Sequence, residues 1–367
     1  MSKKASFLLG ILVILSTLVA ACGPAPAPTA VPTAGTAPFK ACFVYVGPIG
    51  DAGWTWAHDQ GRKYLVDTLG IETAYIESVP EGADSERVIE DYAKQGCNVI
   101  FTTSFGYMDP TITVAAKYPD VFFEHCSGYK TAPNAATYFG RMEQPRYLSG
   151  IVAGAMTKSN KLGYVAAFPI PEVVRGINAF TLGVRSVNPD AEVVVVWTNT
   201  WYDPVKERQA AEGLLDQGCD VIAQHQDTTE PQSAAAERGS YGIGYDADMG
   251  AIVGEQVLTS PVWNWGPYYV ETVQAIQNGT WKTHEFYGGF KDGVVDLAPF
   301  SPLVPDDVKA QVEAVKQQMI AGTFDPFQGP IYDQSGVIKV PAGTIMTDAE
   351  ILAFDWFVQG VKGEIPK

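Results

Sequence analysis

The sequence predicts an α/β protein built from two similar lobes, each a doubly wound and mainly parallel sheet, with a ligand cleft between them. Strand-like segments alternate with helix-like segments through most of the chain. Several strand-like segments are continuous apolar runs, which is typical of parallel strands covered on both faces. A short segment of the first half recurs in the second half, and 367 residues are enough for two modest domains.

An export signal and a tether are predicted at the N-terminus. Two lysines precede an apolar run from Phe7 to Ala20, and small residues then lead to Cys22. This pattern predicts a secretory signal over residues 1–22, since the run is too short for a spanning helix. The cysteine resembles that of a bacterial lipobox, so we expect Cys22 to be lipidated. Residues 23–38 are nearly all Gly, Pro, Ala and Thr, which predicts a flexible tether to the outer face of the cell membrane.

The predicted strands and helices follow one another in the order of α/β lobes. Strands are predicted at Ala41–Val46, Thr73–Glu77, Asn98–Thr102, Val121–His125, Leu162–Phe168, Glu192–Thr198, Asp220–Gln224 and Tyr241–Tyr245. Helices are predicted at Thr55–Leu69, Ser85–Gln95, Pro110–Tyr118, Pro145–Lys158, Glu172–Val187, Pro204–Gln217 and Pro231–Arg238. Beyond Gly250 the periodicity weakens. Helices are predicted there at Trp265–Asn278, Asp306–Ala321 and Glu350–Val361, and the Gly- and Pro-rich stretches between them suit hairpins and chain crossings.

The internal repeat supports the prediction of two similar lobes. The segment Gln95–Ile100 recurs as Gln217–Ile222 with conservative changes. In both copies a helix ends at Gly, the chain turns directly into a strand, and a polar loop follows that ends with an acidic residue and Pro. Because Gly is common at such turns, a chance match would give the same pattern. We interpret the repeat as two lobes of one design.

Charge and cysteine content exclude some classes of partner. The formal net charge of −16 makes a surface that repels phosphate backbones and anionic headgroups. We therefore expect no nucleic acid partner and no membrane contact besides the lipid anchor. Four cysteines besides Cys22 lie in or beside predicted strands without any CxxC pair: Cys42, Cys97, Cys126 and Cys219. We expect four buried thiols, in a compartment that permits a disulfide although the spacing does not indicate one.

Five loops are expected to face the cleft, because ligands of open parallel sheets bind outside the carboxyl ends of the strands. They are Gly47–Trp56, Thr103–Asp109, Thr198–Asp203, His225–Glu230 and Gly244–Met249. Aromatic residues stand beside acidic ones in these loops, notably Asp51, Trp54, Phe105, Tyr107, Trp201, Tyr245 and Asp246. Such a set suits a flat, polar, heteroaromatic ligand, whose faces stack on rings while carboxylates and backbone groups bind its edge.

Several long motifs in order carry a resemblance to a known family. They are Gly47–Thr55 (GPIGDAGWT), Thr103–Pro110 (TSFGYMDP), Asn199–Pro204 (NTWYDP) and Ala353–Val361 (AFDWFVQGV). The chain from Lys40 onward resembles the basic membrane protein family of ABC-transporter substrate-binding lipoproteins, which includes receptors for purine nucleosides and purine bases. The resemblance implies a type I binding-protein fold with three crossings between the lobes. It implies an N-lobe of residues 39–142 and 263–290 and a C-lobe of residues 143–262 and 291–367.

The resemblance also implies roles for single residues. Trp54 and Trp201 match the two aromatic residues that stack on the base, and Asp246 matches the acid that holds the ribose hydroxyls of nucleosides. Trp263 falls where a lysine is usual, and that departure resembles the adenine-binding branch. We therefore expect a free purine base, adenine-like, with a purine nucleoside as the alternative. The expected ligand-binding residues are Asp51, Trp54, Thr55, Ser104, Phe105, Gly106, Tyr107, Trp201, Asp246 and Trp263.

Other functions fit the sequence less well. Nucleoside hydrolysis would need clustered carboxylates or a histidine poised to protonate the leaving base, and His225 is the only histidine on a predicted cleft loop. The four histidines lack the spacing of metal ligands, so we expect no metal and no cofactor. A sugar receptor and a membrane-coupled sensor remain as alternatives on the same fold. The sequence thus predicts a monomeric receptor, not an enzyme, that delivers its ligand to an ABC permease.

Overall fold

Two parallel sheets dominate the computed structural model, which describes residues 38–366. The predicted signal, the lipidation residue Cys22 and all but the last residue of the tether lie outside the described residues. The strands are β1 (Lys40–Val44), β2 (Glu72–Ile76), β3 (Val99–Thr102), β4 (Phe122–Cys126), β5 (Ala135–Gly140), β6 (Lys161–Ala166), β7 (Glu192–Trp197), β8 (Val221–His225), β9 (Tyr241–Ile243), β10 (Pro261–Trp263), β11 (Glu285–Gly288), β12 (Val295–Leu297), β13 (Ile331–Tyr332), β14 (Ile338–Val340) and β15 (Val361–Lys362).

Helices separate most of these strands. They are α1 (Trp54–Leu69), α2 (Ala83–Lys94), α3 (Met108–Ala115), α4 (Glu143–Met156), α5 (Pro171–Val187), α6 (Pro204–Asp216), α7 (Glu230–Glu237), α8 (Gly250–Val253), α9 (Gly266–Gln277), α10 (Asp306–Ile320) and α11 (Asp348–Leu352). Within residues 38–366, no helix has both the length and the apolar character that a bilayer crossing requires.

The two sheets share one topology. The first has the strand order β11-β5-β4-β3-β1-β2 and the second β15-β7-β6-β8-β9, and every neighbouring pair in both is parallel. The order β2-β1-β3-β4 of the first sheet is repeated as β7-β6-β8-β9 in the second. This correspondence agrees with the two similar lobes that the internal repeat predicts.

Both faces of the sheets are covered, as their apolar sequences require. In β1, Phe43 packs into the cluster that includes the α1 and α9 side chains, whereas its neighbour Cys42 packs into a separate cluster with α2 and α3. In the second sheet, α4 and α5 cover one face and α6 and α7 the other. Alternate residues of one strand thus enter different cores, which explains why polar residues are scarce in these strands.

The two copies of the repeated segment end their helices in the same way. Gly96 and Gly218 have φ values of +82° and +89°, in the left-handed region that glycine favours. The next amide, of Cys97 or Cys219, donates to a helix carbonyl at 3.2 Å in both copies. The helices α2 and α6 therefore lead into β3 and β8 through equivalent turns.

The chain passes between the two sheets three times. It leaves the first sheet after β5, returns through β10 to α9 and β11, and leaves again through β12. Strands β10 and β12 pair in antiparallel fashion, so two of the crossings lie side by side. Helix α9 packs on α1, so α9 belongs with the elements that cover the first sheet.

The predicted helix at Glu350–Val361 is wrong, since the structure has only the five-residue α11 followed by irregular chain and β15. Phe354, Phe357, Val358 and Val361 have helical spacing, and all four are buried. The segment bonds largely to other parts of the chain: the Val358 amide donates to the Asn178 side chain at 3.0 Å, and β15 pairs with β7. The apolar residues of this segment are thus buried although the segment is irregular, and their spacing in sequence is the same as that of a helix.

All four cysteines are buried, as expected, and the structure also contains a disulfide that the spacing did not indicate. Cys42 of β1 and Cys97, at the turn into the adjacent β3, form a disulfide with their Cα atoms 6.0 Å apart. The two residues are 55 positions apart in sequence, and only strand pairing brings them together. Cys126 and Cys219 are free and buried, as predicted.

Candidate functional site

A cavity lies where the carboxyl ends of the two sheets meet, with about 350 Å³ of empty space that is partly open to solvent. It is lined by Val46, Trp54, Ser104, Phe105, Ser127, Glu172, Trp201, His225, Asp227, Tyr245 and Asp246. These residues come from loops and helix starts that follow strands β1, β3, β4, β6, β7, β8 and β9. The cavity thus occupies the position at which open parallel sheets bind ligands.

The backbone around the cavity is unusual. Four non-glycine residues that follow strand ends there have positive φ values: Ala52 (+60°), Ser127 (+74°), Asn199 (+55°) and Asp246 (+66°). Residues other than glycine adopt this conformation at a cost, and such residues concentrate at ligand sites. The surrounding packing therefore holds these loops in backbone conformations that are unfavourable for the residues in isolation.

Trp54, the first residue of α1, forms a firmly held part of the cavity wall. Its indole Nε1 donates to the Thr103 carbonyl at 2.6 Å, and its ring meets those of His58 and Trp263 edge-on. Only 8% of its surface is exposed. The indole is thus fixed in position before any ligand binds.

Asp51 and Thr55 shape the first loop and lie outside the cavity wall. The Asp51 carboxylate accepts backbone N–H groups of Gly53, Thr55 and Trp56 at 2.8–2.9 Å. Burial raises the pKa of Asp51 to about 6, against the lowering effect of these donors. The Thr55 hydroxyl accepts the Gly47 amide at 3.1 Å.

The second predicted loop divides between the cavity and the protein interior. Ser104 and Phe105 line the cavity. Gly106 and Tyr107 turn away from it: the Gly106 amide donates to Glu81 at 3.1 Å, and the buried Tyr107 hydroxyl donates to the Val79 carbonyl at 2.6 Å.

Trp201 enters the cavity from the second sheet and is held less firmly than Trp54. Its half-buried ring packs against Phe168, with centroids 4.9 Å apart, and lies 6.2 Å from the His225 ring. No side-chain hydrogen bond holds its indole nitrogen among the described residues. Its neighbour Asp203 caps α6 by accepting the Lys206 amide at 3.1 Å.

Asp246 lines the cavity with Trp263 behind it. The Trp263 indole Nε1 donates to one carboxylate oxygen of Asp246 at 2.6 Å, whereas the other oxygen is buried without a partner among the described residues. Burial raises the pKa of Asp246 well above its ordinary value. Trp263 stacks on Trp265, with ring centroids 4.6 Å apart, and is not part of the cavity wall.

The set of expected ligand-binding residues left out six residues of the wall: Val46, Ser127, Glu172, His225, Asp227 and Tyr245. Three of the six, His225, Asp227 and Tyr245, stand on loops that were expected to face the cleft, and Tyr245 was noted there as one of the aromatic residues. Glu172 opens α5, just after the carboxyl end of β6, and the rule that selected the other loops also covers that segment. Ser127 follows β4 in the same way.

Glu172 and His225 form a pair on the second lobe's side of the cavity. Glu172 accepts the Ser127 hydroxyl, and its carboxylate lies 3.5 Å from His225 Nε2. Burial lowers the pKa of His225 to about 4, so the imidazole is neutral at physiological pH. Burial alone would raise the pKa of Glu172, but His225, Arg175 and Ser127 together lower it.

The basic groups near the site lie behind its wall. Arg146 is fully buried; its Nη1 donates to the Gln224 carbonyl at 2.5 Å and its guanidinium lies 3.6 Å from the Tyr245 ring centroid. Arg175 is buried nearby, 5.0 Å from the Phe139 ring centroid. The wall itself therefore combines aromatic rings with carboxyl groups and holds no Lys or Arg. Among residues 38–366, no cluster of His, Cys, Asp and Glu has the arrangement of a metal site.

The chain is similar to known proteins over most of its length. The model of the family Bmp, described as "ABC transporter substrate-binding protein PnrA-like", matches residues 39–324. The chain is 47% identical to a purine-binding protein of Brucella abortus over 330 residues, covering 89% of this chain and 94% of that protein. It is 44% identical to a putative ABC transporter glucose-binding protein of Haloferax volcanii over 328 residues, covering 89% of this chain and 81% of that protein.

The fold is similar to solved structures of solute-binding proteins. The structure of an ABC transporter solute-binding protein of Aeropyrum pernix has a TM-score of 0.69 and 21% identity, over 78% of this chain and 93% of that one. The predicted two-lobed α/β fold of the type I binding proteins is therefore confirmed.

Proposed function

Because the chain belongs to the Bmp family of ABC transporter substrate-binding proteins, we propose that it captures a free purine base, adenine-like, and delivers it to a membrane permease. Proteins of this family work outside the cytoplasm and bind solutes without catalysing a reaction. The observation that carries the proposal is the wall of the cavity, in which four aromatic side chains accompany three carboxyl groups: Trp54, Phe105, Trp201 and Tyr245 with Glu172, Asp227 and Asp246. Aromatic faces suit a planar base, and carboxyl groups suit its N–H donors.

A free base is favoured over a nucleoside by the environment of Asp246. In nucleoside receptors of the resembling family, the matching acid holds the ribose hydroxyls. Here the Trp263 indole occupies one of its oxygens at 2.6 Å. A ribose would have to compete with that donor for the carboxylate, so the sugar loses part of its binding site.

Sugar binding is the second candidate, since one relative is described as a putative glucose-binding protein. A sugar ring also stacks on tryptophan, but it needs many hydrogen-bonding side chains around its edge. The cavity wall holds neither Asn nor Arg, and four of its eleven residues are aromatic besides His225. This composition supports the purine, as does the similarity to the purine-binding relative.

We also propose the anchor and the division into lobes. Lipidation of Cys22 would hold the protein at the membrane, and a Cys22→Ser variant would lose membrane association while it keeps its ligand affinity. The N-lobe would comprise residues 39–142 and 263–290 and the C-lobe residues 143–262 and 291–367, which places one parallel sheet in each lobe. A monomer is expected to serve the permease.

The proposal is tested on the full-length protein extracted in detergent. Small molecules that co-purify with it would be identified by mass spectrometry, and adenine, adenosine and glucose would then be titrated by calorimetry. We expect a purine to co-purify and adenine to bind most tightly. Tighter binding of adenosine than of adenine would identify a purine nucleoside as the ligand in place of the free base. Binding of glucose without binding of either purine would overturn the proposal.

A further inference from the structure

Asp227 differs from every other acid around the cavity. It follows β8, lines the cavity, and is 4% exposed. Its amide donates to the Trp201 carbonyl at 3.3 Å, but within residues 38–366 no hydrogen bond reaches its carboxyl oxygens. Ionisation of a buried carboxyl group that has no hydrogen-bond donor costs free energy. The Asp227 side chain is therefore either neutral or stabilised by a donor of a bound ligand.

Four other acids act on Asp227 through their charge, and they come from four separate segments: Asp51 after β1, Glu172 on α5, Glu207 on α6 and Asp246 after β9. Burial, followed by the nearness of these groups, raises the pKa of Asp227 well above its ordinary value. The nearby basic groups Arg146 and Arg175 instead approach Asp246 and Glu172, where they favour the ionised form.

The four neighbours all have donors that stabilise a negative charge. Asp51 accepts three backbone amides and Asp246 accepts the Trp263 indole. Glu172 accepts the Ser127 hydroxyl. Glu207 accepts the Asp203 amide at 2.8 Å and the Thr228 amide at 3.2 Å. When five acids share one region, the proton goes to the group whose charge is least stabilised. Asp227 is the one of these five acids with no donor to either carboxyl oxygen among the described residues, whereas Asp246 lacks a donor to only one of its oxygens.

We propose that Asp227 binds the ligand as a neutral carboxylic acid and selects an edge that carries an N–H donor beside a ring-nitrogen acceptor. This inference rests on the proposed purine function and adds Asp227 as the residue that recognises the edge of the base. A neutral carboxyl group has one O–H donor and one carbonyl acceptor. A 6-aminopurine presents its amino N–H next to a ring nitrogen, so both hydrogen bonds form at once. Unsubstituted purine retains the ring nitrogens but lacks the amino donor.

The pH dependence follows from the proton that Asp227 must carry. Below the pKa of Asp227 the acid is already neutral and affinity for adenine is constant. As pH rises through that pKa, binding must take up a proton, and affinity falls about tenfold per pH unit. The lost affinity would be recovered by a side chain that offers the same donor and acceptor without titrating.

The variant Asp227→Asn supplies such a side chain, because the amide of Asn has an N–H donor and a C=O acceptor where the neutral acid has its O–H and C=O. Calorimetric titration with adenine and purine would compare the full-length wild type with Asp227→Asn and Asp227→Ala, from roughly pH 5 to 9. Asp216→Asn is the matched control, since it removes one acid of a surface ion pair with Arg238 in the same half of the chain. At low pH we expect Asp227→Asn to keep adenine affinity within about threefold, and Asp227→Ala to lose about tenfold or more. The Asp227→Asn profile should be flat with pH, and the control should follow the wild type.

Two outcomes overturn the inference without affecting the proposed function. One is a loss of about tenfold or more in adenine affinity with Asp227→Asn at low pH, which would show that the site needs a carboxylate. The other is an adenine-over-purine preference that Asp227→Ala leaves unchanged. If either variant does not fold, titration of the wild type in two buffers of different ionisation enthalpy measures proton uptake directly, and its absence at high pH overturns the inference. Failure of every purine to bind the wild type would instead overturn the proposed function.

Discussion

Trp54 and Trp201 share a cavity but differ in how firmly they are held. Trp54 is nearly buried, donates a hydrogen bond to Thr103 and packs among other rings, whereas Trp201 is half-buried and packs mainly on Phe168. Removal of the first therefore affects both the fold and the site, and removal of the second affects chiefly the site.

Trp201→Ala should weaken adenine binding by about 5- to 150-fold, since base–aromatic stacking contributes roughly 1–3 kcal/mol. Trp54→Ala should weaken it at least as much and should also lower the free energy of unfolding by about 3–5 kcal/mol, because it leaves a cavity in a packed cluster. Calorimetry and urea unfolding measure the two effects. Trp56→Ala is the matched control, since Trp56 is 37% exposed and lies outside the cavity wall. Unchanged adenine affinity in both variants would rule out stacking by these tryptophans.

The choice between base and nucleoside depends on the bond between Trp263 and Asp246. Trp263→Phe removes the indole donor and keeps an aromatic ring behind the acid. We expect this variant to gain affinity for adenosine relative to adenine, because both carboxylate oxygens become available to ribose hydroxyls. Asp246→Ala should cost less adenine affinity than Trp201→Ala if the natural ligand is a free base. Competition titrations of adenosine against adenine would check both, and an equal ratio in wild type and Trp263→Phe would contradict this role for the indole.

Motifs placed Trp54, Trp201 and Asp246 at strand ends, and the structure brings all three to the cavity wall. Their binding of a ligand stays a prediction. Glu172 was not predicted because the segment after β6 was not included among the loops expected to face the cleft. Asp227 was not predicted because its significance is an absence of donors, and only the surrounding fold shows which donors are absent.

At the scale of elements, the loops after β1 and β8 come into direct contact. A Cβ atom on Gly53 would lie 2.3 Å from the Asp227 carbonyl oxygen and 2.7 Å from its Cα, far closer than real Cβ contacts. Glycine at this position is thus required for the two loops to meet. Gly50 lies in the same loop, and a Cβ there would have nothing within 4 Å.

Gly53→Ala should therefore keep the fold and weaken ligand binding, because the added methyl group holds the two loops apart. We expect a loss of about tenfold or more in adenine affinity, with the free energy of unfolding nearly unchanged. Gly50→Ala should bind like the wild type. Calorimetry of the two variants makes the comparison, and equal affinities would show that the contact is not needed for binding.

Most elements of the two parallel sheets were predictable, and two of their strands were not. Strands with helices on both sides kept their apolar runs, so their positions agree with the structure to within two residues at nearly every end. Strands β5 and β11 were not predicted: β5 follows β4 with no helix between them, and β11 joins the sheet from far along the chain. Local sequence carries no signal for a partner that arrives after some 150 residues of intervening chain.

At the scale of the whole molecule, three crossings connect the two sheets and the ligand residues come from both. Trp54 follows a strand of the first sheet, and Trp201 follows a strand of the second. Contact of both rings with one ligand requires the lobes to be close together, whereas entry of the ligand requires them to separate. The arrangement favours a hinge motion about the crossings.

We expect small-angle scattering to show a smaller radius of gyration for the adenine-saturated protein than for the ligand-free protein. The Gly53→Ala variant should show less of this decrease, because its loops cannot meet. The closed form would also offer the permease a surface that exists only when ligand is bound. Identical scattering profiles of the wild type with and without saturating adenine would contradict closure.

Both sheets are completed by strands from distant parts of the chain, and this determines when the protein can fold. The edge strand β11 reaches the first sheet only after residue 285, and β15 reaches the second only after residue 361. A chain still emerging from the ribosome therefore lacks an edge strand of each lobe until residues 285–288 and 361–362 have been made. Such a delay would keep the polypeptide incompletely folded for a secretion channel that accepts extended chains, and these two edge strands would complete folding on the far side of the membrane.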